Sequence, residues 1–260
     1  MGRIISIINQ KGGVGKTTTA VNLSALLGAM GQRVLMIDLD PQGNTTSGLG
    51  MEVDDKSIYE VIMGRMKLTD VMEETEFKNL SIAGSDVRLA NAELELVEVE
   101  KREYRLKTAV QSVQQDFDFI FIDCPPSLGL LTINALGAAD SVLIPIQCEY
   151  YALEGVASLM NTISRVKKTI NPHLEIEGVL LTMLDGRTNL GLQVVDEVKK
   201  HFKKQVYATV IPRSVRLGEA PSHGEPIHVY DKRSAGCVAY VNLAKEVLKR
   251  NNIKVKEFKL

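Results

Sequence analysis

The chain has 260 residues, and its 45% hydrophobic content is enough for one large α/β domain or two small ones. Its 31 basic and 32 acidic residues leave a net charge of −1, so any nucleic-acid binding must use a local basic patch. The three cysteines, at positions 124, 148 and 237, form no C-x-x-C pair, which argues against a disulfide framework, a zinc site or an iron–sulfur cluster and favours a reducing cytoplasm.

Six mostly apolar runs predict β-strands, at residues 4–8, 34–37, 119–122, 142–146, 179–184 and 206–211. Continuous rather than alternating apolar runs indicate strands that are buried on both faces. The predicted fold is therefore α/β, a mainly parallel twisted sheet flanked by helices on both faces. No Pro- or Ser-rich linker and no repeat interrupts the chain, so we expect one domain over residues 1–260.

Helical patterns lie between the strands. Residues 18–30 read as a helix, as do two stripes of apolar residues at positions 153, 156, 160, 163 and at 192, 195, 198, 202. The segment 91–103 alternates like a strand in its middle but has helical flanks, and we favour a helix there. Met1 runs almost directly into the first strand and no apolar run approaches ~20 residues, so we expect neither a signal peptide nor a membrane span.

The loop after the first strand has the composition of a phosphate-binding loop. It reads Asn9-Gln10-Lys11-Gly12-Gly13-Val14-Gly15-Lys16-Thr17-Thr18-Thr19 and leads directly into the first helix. Its glycines allow backbone N–H groups to turn toward an anion, and the helix N-terminus adds its positive dipole end. We expect Lys11 to Thr18 to bind nucleotide, with Lys16 at the β- and γ-phosphates and the Thr17 hydroxyl on Mg²⁺. A Gly-rich connection with solvated lysines is the alternative.

This loop departs from the pattern G-x-x-x-x-G-K-[ST], because Gln10 stands where the first glycine belongs. Lys11 instead places a second lysine at the head of the loop. The segment K-G-G-V-G-K-T resembles the deviant Walker A loop of the ParA and MinD class of P-loop ATPases.

Two further strands end in carboxylates. The run 34–37 leads to Asp38 and Asp40 before the chain breaks at Pro41 and Gly43, which brings both carboxylates to the carboxyl edge of the sheet. We expect Asp40 to orient the attacking water, rather than to abstract its proton, and to face the metal. The alternative is that both aspartates only cap the loop.

Asp123 ends the apolar run 119–122, as in a Walker B motif, and we expect it to hold Mg²⁺ directly or through water. Pro125 and Pro126 stiffen the following turn, a predicted γ-phosphate sensor.

Across nearly its whole length the chain resembles the ParA family of chromosome and plasmid partitioning ATPases, in residues 11–17, 38–44, 123–131, 145–155, 182–189 and 211–224. The resemblance implies that the cofactors are ATP and Mg²⁺, and that ATP is sandwiched in a homodimer in which Lys11 reaches the nucleotide of the second copy. It also implies that adenine lies near Thr182, Met183 and Leu184, and at Pro212.

The resemblance further implies that the ATP-bound dimer binds double-stranded DNA without sequence specificity. Hydrolysis, weak alone, would be triggered by a ParB-type centromere-binding protein through a short basic N-terminal segment, in the cytoplasm at the nucleoid. A link to replication initiation is a further expectation for chromosomal members. Arg187 and Arg216, in loop-like sequence, are expected at DNA phosphates; Lys199 and Lys200 are candidates that a solvated helix face explains equally well.

Three other interpretations remain open. A MinD-like membrane ATPase shares the loop, but the apolar residues of the basic tail, at 253, 255, 258 and 260, make no convincing helical stripe, so we expect no membrane association. A nitrogenase iron protein or iron–sulfur carrier would need cluster-binding cysteines. A nucleotide-binding scaffold without hydrolysis is the third; it would be surprising, because Lys11, Lys16, Asp40 and Asp123 are all present.

Overall fold

Strands and helices alternate along the chain. The computed structural model describes residues 1–149, 154–185, 189–255 and 258. The strands are β1 (Arg3–Ile7), β2 (Val34–Asp38), β3 (Met72–Glu74), β4 (Leu80–Ala83), β5 (Phe119–Asp123), β6 (Ser141–Gln147), β7 (Glu175–Leu184) and β8 (Val206–Pro212). The α-helices are α1 (Lys16–Ala29), α2 (Asn44–Gly48), α3 (Ile58–Ile62), α4 (Leu89–Glu95), α5 (Arg105–Gln111), α6 (Leu130–Ala138), α7 (Glu154–Thr169), α8 (Asn189–Phe202), α9 (Val215–Glu219), α10 (Ile227–Tyr230) and α11 (Ala235–Arg250).

The eight strands form one sheet in the order β3-β4-β2-β5-β1-β6-β7-β8. All neighbours are parallel except β3, which pairs antiparallel with β4 at one edge. β1 lies between β5 and β6, so the loop that follows it begins in the middle of the carboxyl edge. In open α/β sheets this edge is where ligands bind.

The sheet is buried on both faces. Along β5, Ile120 and Ile122 pack into one hydrophobic core, while Phe119 and Phe121 pack into another on the opposite face. The first core is closed by α5, α6, α7 and α8, and the second by α1 and α11; representative contacts are Val110, Leu136, Leu159 and Val198 on one side, and Leu26 and Leu243 on the other. This arrangement confirms the predicted fold class and the six predicted strands.

Two short strands and the segment 91–103 differ from the predictions made from the sequence. β3 and β4 were not predicted, because they have three and four residues and β3 is polar and exposed. The segment 91–103 is helical only in part: α4 ends at Glu95 and single 3₁₀ turns follow at Leu96–Glu98 and Arg102–Tyr104.

The two predicted apolar stripes lie on α7 and α8. Val156, Met160 and Ile163 pack into the first core, while residue 153 lies outside the described residues. On α8 the expected core residue Leu192 is 49% exposed, and Val194 is buried instead. Among the helices that the structure describes, none has the length and apolar character needed to cross a bilayer.

Candidate nucleotide site

The loop between β1 and α1 has a backbone that only glycine adopts without strain. Gly13 and Gly15 have φ values of 71° and 90°, and Gly15 is the N-cap residue of α1. Gly15 offers no side-chain cap, so backbone N–H groups of the first turn are left to bind an anion. The carbonyl of Val14 accepts a hydrogen bond from the Thr182 hydroxyl at 2.8 Å, which ties the loop to β7.

Lys16 is buried at the start of α1, with 7% of its surface exposed. Its ammonium donates one long hydrogen bond, 3.4 Å, to the carbonyl of Lys11. Burial lowers the pKa of Lys16, and the charges of Asp123 and Asp40 oppose that shift only in part. The lysine is therefore a poorly compensated cation inside the loop, which a bound phosphate would stabilise.

Asp123 lies at the end of β5 and is buried. Its Oδ2 accepts hydrogen bonds from the hydroxyls of Thr17 at 2.8 Å and Thr45 at 2.7 Å. Its Oδ1 is buried and has no hydrogen-bond partner among the described residues. Burial raises the pKa of Asp123 to about 6, against the opposing effect of these hydroxyls and of Lys16.

A buried carboxylate oxygen without a partner fits a cation or a cation-bound water. Thr17 and Asp123 supply two side-chain oxygens that fit a metal bound directly or through a water. Mg²⁺ commonly takes one or two protein oxygens and completes its coordination shell with phosphate and water. In the described ranges no group of three or more His, Cys, Asp or Glu side chains is placed to hold a metal by itself. The residues present therefore fit Mg²⁺ bound together with a nucleotide.

Asp38, one of the two candidate loop-capping residues, lies beside Asp123 in the strand register. Its Oδ2 accepts hydrogen bonds from the backbone N–H of Thr46 at 2.9 Å and from the Thr46 hydroxyl at 2.8 Å, and its Oδ1 accepts from the N–H of Asp40 at 3.2 Å. Burial, and next the charge of Asp123, raise the pKa of Asp38 to about 7. Asp38 therefore organises the loop from inside the protein.

Asp40 occupies the more open part of this loop. Its Oδ1 accepts a hydrogen bond from the N–H of Gln42 at 3.0 Å, so it caps its own turn. It lies close enough to Lys16 and Asp123 for its charge to act on both pKa values. The structure thus brings Asp40 to the site, but its carboxylate accepts no hydrogen bond from Thr17 or Lys16, and its roles at the water and the metal remain predictions.

Three of the four positions expected at adenine line one cavity, and Leu184 does not. Thr182, Met183 and Pro212 surround a space of about 220 Å³ that also borders Gly15 and Thr18 of the loop. The sequence did not indicate the other lining residues, Ile211, Arg213, Ser214, Leu217, Gly218 and Tyr240. A larger cleft of about 990 Å³ lies at the C-terminal end of α11, but none of the loop residues lines it.

Lys11 is partly exposed, and its backbone N–H donates to the Asn9 side chain at 2.9 Å. Within the part of the chain that the structure describes, its ammonium has neither an ion pair nor a hydrogen bond. The exposed Gly12 and Gly13 follow it. The head of the loop is therefore open to another molecule.

The predicted DNA residues that the structure describes lie on two different helices, α8 and α9. Arg187 lies outside the described residues. Arg216 is exposed on α9 and forms ion pairs with Glu219 at 2.9 Å and Asp231 at 3.5 Å. Lys199 and Lys200 are exposed near the end of α8, where Lys200 pairs with Glu197 at 2.6 Å. α8 runs from the carboxyl edge of the sheet back to the start of β8. Lys199 and Lys200 lie roughly 15 Å along the helix from its beginning, and therefore away from the carboxyl edge.

Comparison with known proteins identifies the family. The sequence model of a family described as AAA domain matches residues 2–176. The sporulation initiation inhibitor protein Soj of Bacillus subtilis is 59% identical over 249 residues, 95% of this chain and 98% of that protein. The chromosome partitioning protein ParA of Myxococcus xanthus is 52% identical over 256 residues, 98% of this chain and 90% of that protein. The chain belongs to the ParA family.

Solved structures extend the comparison of this ParA-family chain to its fold. Cobyrinic acid a,c-diamide synthase of Mycobacterium smegmatis, solved with ADP and magnesium, is 37% identical with a TM-score of 0.86, over 97% of this chain and 96% of that one. The septum site-determining protein MinD of Pyrococcus horikoshii, solved with Mg-ADP, is 29% identical with a TM-score of 0.80, over 95% of this chain and 96% of that one. The deviant P-loop fold predicted from the sequence is thus confirmed.

Proposed function

We propose that this ParA-family chain is a partitioning ATPase that acts as a single domain over residues 1–260. The observation that carries the proposal is the joint placement of a buried cation, Lys16, and a buried, partly unpartnered carboxylate, Asp123, at one helix N-terminus. A phosphate and a divalent cation are the two partners that such a pair lacks.

In the proposed reaction, ATP and water give ADP and phosphate. The N–H groups from Gly13 to Thr18 and the ammonium of Lys16 hold the β- and γ-phosphates, and adenine lies in the cavity at Thr182, Met183 and Pro212. Thr17 and Asp123 would hold Mg²⁺, which would supply positive charge to neutralise the phosphates.

Asp40 orients the attacking water with the carboxylate oxygen that Gln42 does not use. The open position of Lys11 supports a contact in trans. Its ammonium would compensate charge on the transferring phosphoryl group of a second copy, which makes hydrolysis depend on dimerisation.

In the proposed cycle, ATP binding and hydrolysis switch the protein between a dimer and a monomer. The ATP-bound homodimer binds double-stranded DNA through phosphate contacts at Arg187 and Arg216, with Lys199 and Lys200 as further candidates, and hydrolysis returns it to the monomer. A ParB-type centromere-binding partner would trigger the otherwise slow hydrolysis and so make the cycle directional at the nucleoid. Chromosomal copies would also act on replication initiation.

Two observations weigh against the other interpretations. Ile253, Val255 and Phe258 of the tail pack against the second core, so these side chains are engaged within the protein rather than presented to a bilayer. Cys124, Cys148 and Cys237 are all buried, and they lie after β5, after β6 and on α11 respectively. ATP-dependent flotation with liposomes would favour the MinD-like interpretation instead.

The decisive experiment measures non-specific DNA binding by Asp40→Ala protein with ATP, with ADP and without nucleotide, across a salt series. We expect binding only with ATP, and a log–log salt slope that steepens by about −0.9 for each phosphate contacted. ATP binding without DNA binding under any nucleotide would overturn the partitioning proposal.

A further inference from the structure

The segment from Val87 to Val97 exposes an unusual amount of apolar surface. Eight large apolar side chains are exposed in the described residues, and three of them lie here: Val87 is 78% exposed, Leu94 77% and Val97 57%. Their spacing of seven and three residues places them on one side of a segment made of the turn before α4, α4 itself and the 3₁₀ turn that follows it. Ala90 is exposed on the same side. We call Val87, Ala90, Leu94 and Val97 the α4 face.

The α4 face is bordered by acidic residues. Between Glu93 and Glu103 the sequence has five acidic residues against two basic ones, Lys101 and Arg102. Glu98 and Glu100 are exposed and have no ion pair within the part of the chain that the structure describes, and the Arg102 guanidinium donates to the carbonyl of Val97. An apolar stripe with unpaired acids along its border is complementary to a cationic amphipathic segment.

A second copy of this chain fits the α4 face less well. In a symmetric dimer the same patch would meet itself, so the acids of one copy would oppose those of the other. Juxtaposed like charges weaken such a contact. The charge balance therefore favours a basic partner.

The α4 helix is firmly attached on its inner sides. Glu95 accepts hydrogen bonds from Tyr59 at 2.9 Å and from Arg65 at 3.4 Å, which join α4 to α3 and the turn after it. Arg88, just before the helix, pairs with Glu60 at 3.1 Å. A partner would thus meet a helix that is already ordered, and would lose little free energy in ordering it.

One residue of α4 reaches the segment that follows Asp123. Glu93 accepts a hydrogen bond from the N–H of Leu131 at 3.4 Å, in the first turn of α6. Its carboxylate lies directly over Gly129, where an added Cβ would clash with Glu93 Oε1. A carboxylate at this helix N-terminus is favourable, and it links α4 to the turn that joins Asp123 to α6.

We propose that the α4 face docks a cationic amphipathic segment of the partner that triggers hydrolysis, and that Glu93 transmits this contact to the turn after Asp123. The docking of a ParB-type protein rests on the proposed function. Glu93 is a positioning residue, since it acts through α6 and not on the nucleotide.

The test places a photo-crosslinking amino acid, p-benzoylphenylalanine, at position 94 or at the exposed control position 238 on α11. Full-length ParB-type protein from the same genome is then added with ATP and Mg²⁺. We expect a crosslink from position 94 to a Lys- or Arg-rich segment of the partner, and none from position 238. A crosslink from 94 to a second copy of this chain, or to no partner, would overturn the docking surface.

Kinetics separate docking from transmission. Leu94→Ser and Glu98→Lys/Glu100→Lys should each raise the partner concentration for half-maximal ATPase stimulation about tenfold, because they weaken docking. Glu93→Gln should leave that concentration within about twofold and lower the maximal stimulation instead. The matched controls, Val238→Ser and Glu73→Lys/Glu74→Lys, change exposed residues of the same types elsewhere and should match the wild type.

The outcomes distinguish the two proposals. If the partner stimulates the wild type and the α4 variants equally, the α4 face is wrong and the proposed function stands. If the wild type hydrolyses ATP without responding to the ParB-type partner, and the protein with the crosslinker at position 94 captures no partner, both the partner and the surface are contradicted.

Discussion

Asp38 and Asp123 lie side by side at the carboxyl ends of β2 and β5, where the strand register pairs them. Each accepts a hydrogen bond from one of two consecutive hydroxyls: Thr46 donates to Asp38 at 2.8 Å and Thr45 donates to Asp123 at 2.7 Å. The start of α2 therefore bridges two neighbouring strands. It also ties the loop that contains Asp40 to the carboxylate proposed to hold Mg²⁺.

We expect Thr45→Val to weaken metal binding, because Asp123 would lose one of the two hydroxyls that orient it. Loss of such a supporting hydrogen bond typically raises the metal concentration for half-saturation about tenfold or more. The measurement is a Mg²⁺ titration of fluorescent ATP binding. Thr45→Ser keeps the hydroxyl and should lie within about twofold of the wild type. An unchanged Mg²⁺ dependence in Thr45→Val would show that Thr45 has no part in the metal site.

The placement of the glycine-rich loop and of Asp123 at the carboxyl edge could be predicted because their signals are local: a strand, then glycines, then a helix, or a strand that ends in a carboxylate. The role of Thr45 could not, because its partner is 78 residues away and meets it only once β2 and β5 are neighbours. β3 escaped prediction for a related reason. Its place in the sheet depends on pairing with β4, since its exposed polar residues carry no apolar signal.

The position of the predicted DNA lysines also depends on the three-dimensional path of the chain and could not be read from local sequence. The helical pattern of α8 was readable from the sequence, but the edge of the sheet at which Lys199 and Lys200 end up follows from the path of the chain between β7 and β8. The sequence suggested that Asp38 and Asp40 cap their loop, and both do accept hydrogen bonds from backbone N–H groups there. It did not show that Asp38 is buried in the interior while Asp40 is more open.

Lys16→Met should abolish the stabilisation of the protein by nucleotide. The wild type should gain about 2.7 kcal/mol in free energy of unfolding at a Mg-ATP concentration of about 100 Kd. The variant should gain almost none, because the buried ammonium that would meet the phosphates is gone. Thermal unfolding with and without Mg-ATP measures this, with Lys78→Met as a control at an exposed lysine. A nucleotide-induced shift of wild-type size in Lys16→Met would contradict the assignment.

Arg216→Gln should reduce the salt dependence of DNA binding. Loss of one phosphate contact lowers the magnitude of the log–log slope by about 0.9, while ATP affinity stays unchanged because Arg216 does not line the proposed nucleotide cavity. Arg216→Glu should abolish binding, since a third acid would join Glu219 and Asp231. Lys199→Gln/Lys200→Gln is measured in the same salt series. DNA affinity retained by Arg216→Glu at low salt would refute the role of Arg216.

His228 on α10 should make the protein less stable in mild acid. Burial, aided by the charge of Lys232, lowers the pKa of His228 from 6.5 to about 4, and its buried Nδ1 has no hydrogen-bond partner in the part of the chain that the structure describes. At a pH between these values the unfolded chain binds a proton that the folded protein does not, so the free energy of unfolding falls as the pH falls through this window. From about pH 7.5 to about pH 5 the loss attributable to His228 should be about 2 kcal/mol.

His228→Leu removes the titrating group and should flatten this part of the pH profile, as followed by urea unfolding at each pH. The free energy of unfolding of the wild type, minus that of the variant, should therefore fall as the pH is lowered, whatever the offset between the two proteins at neutral pH. His201→Gln, at an exposed histidine of α8, should keep the wild-type profile. A His228→Leu profile parallel to that of the wild type would mean that His228 titrates alike in the folded and unfolded chains, and that its burial carries no energetic cost in acid.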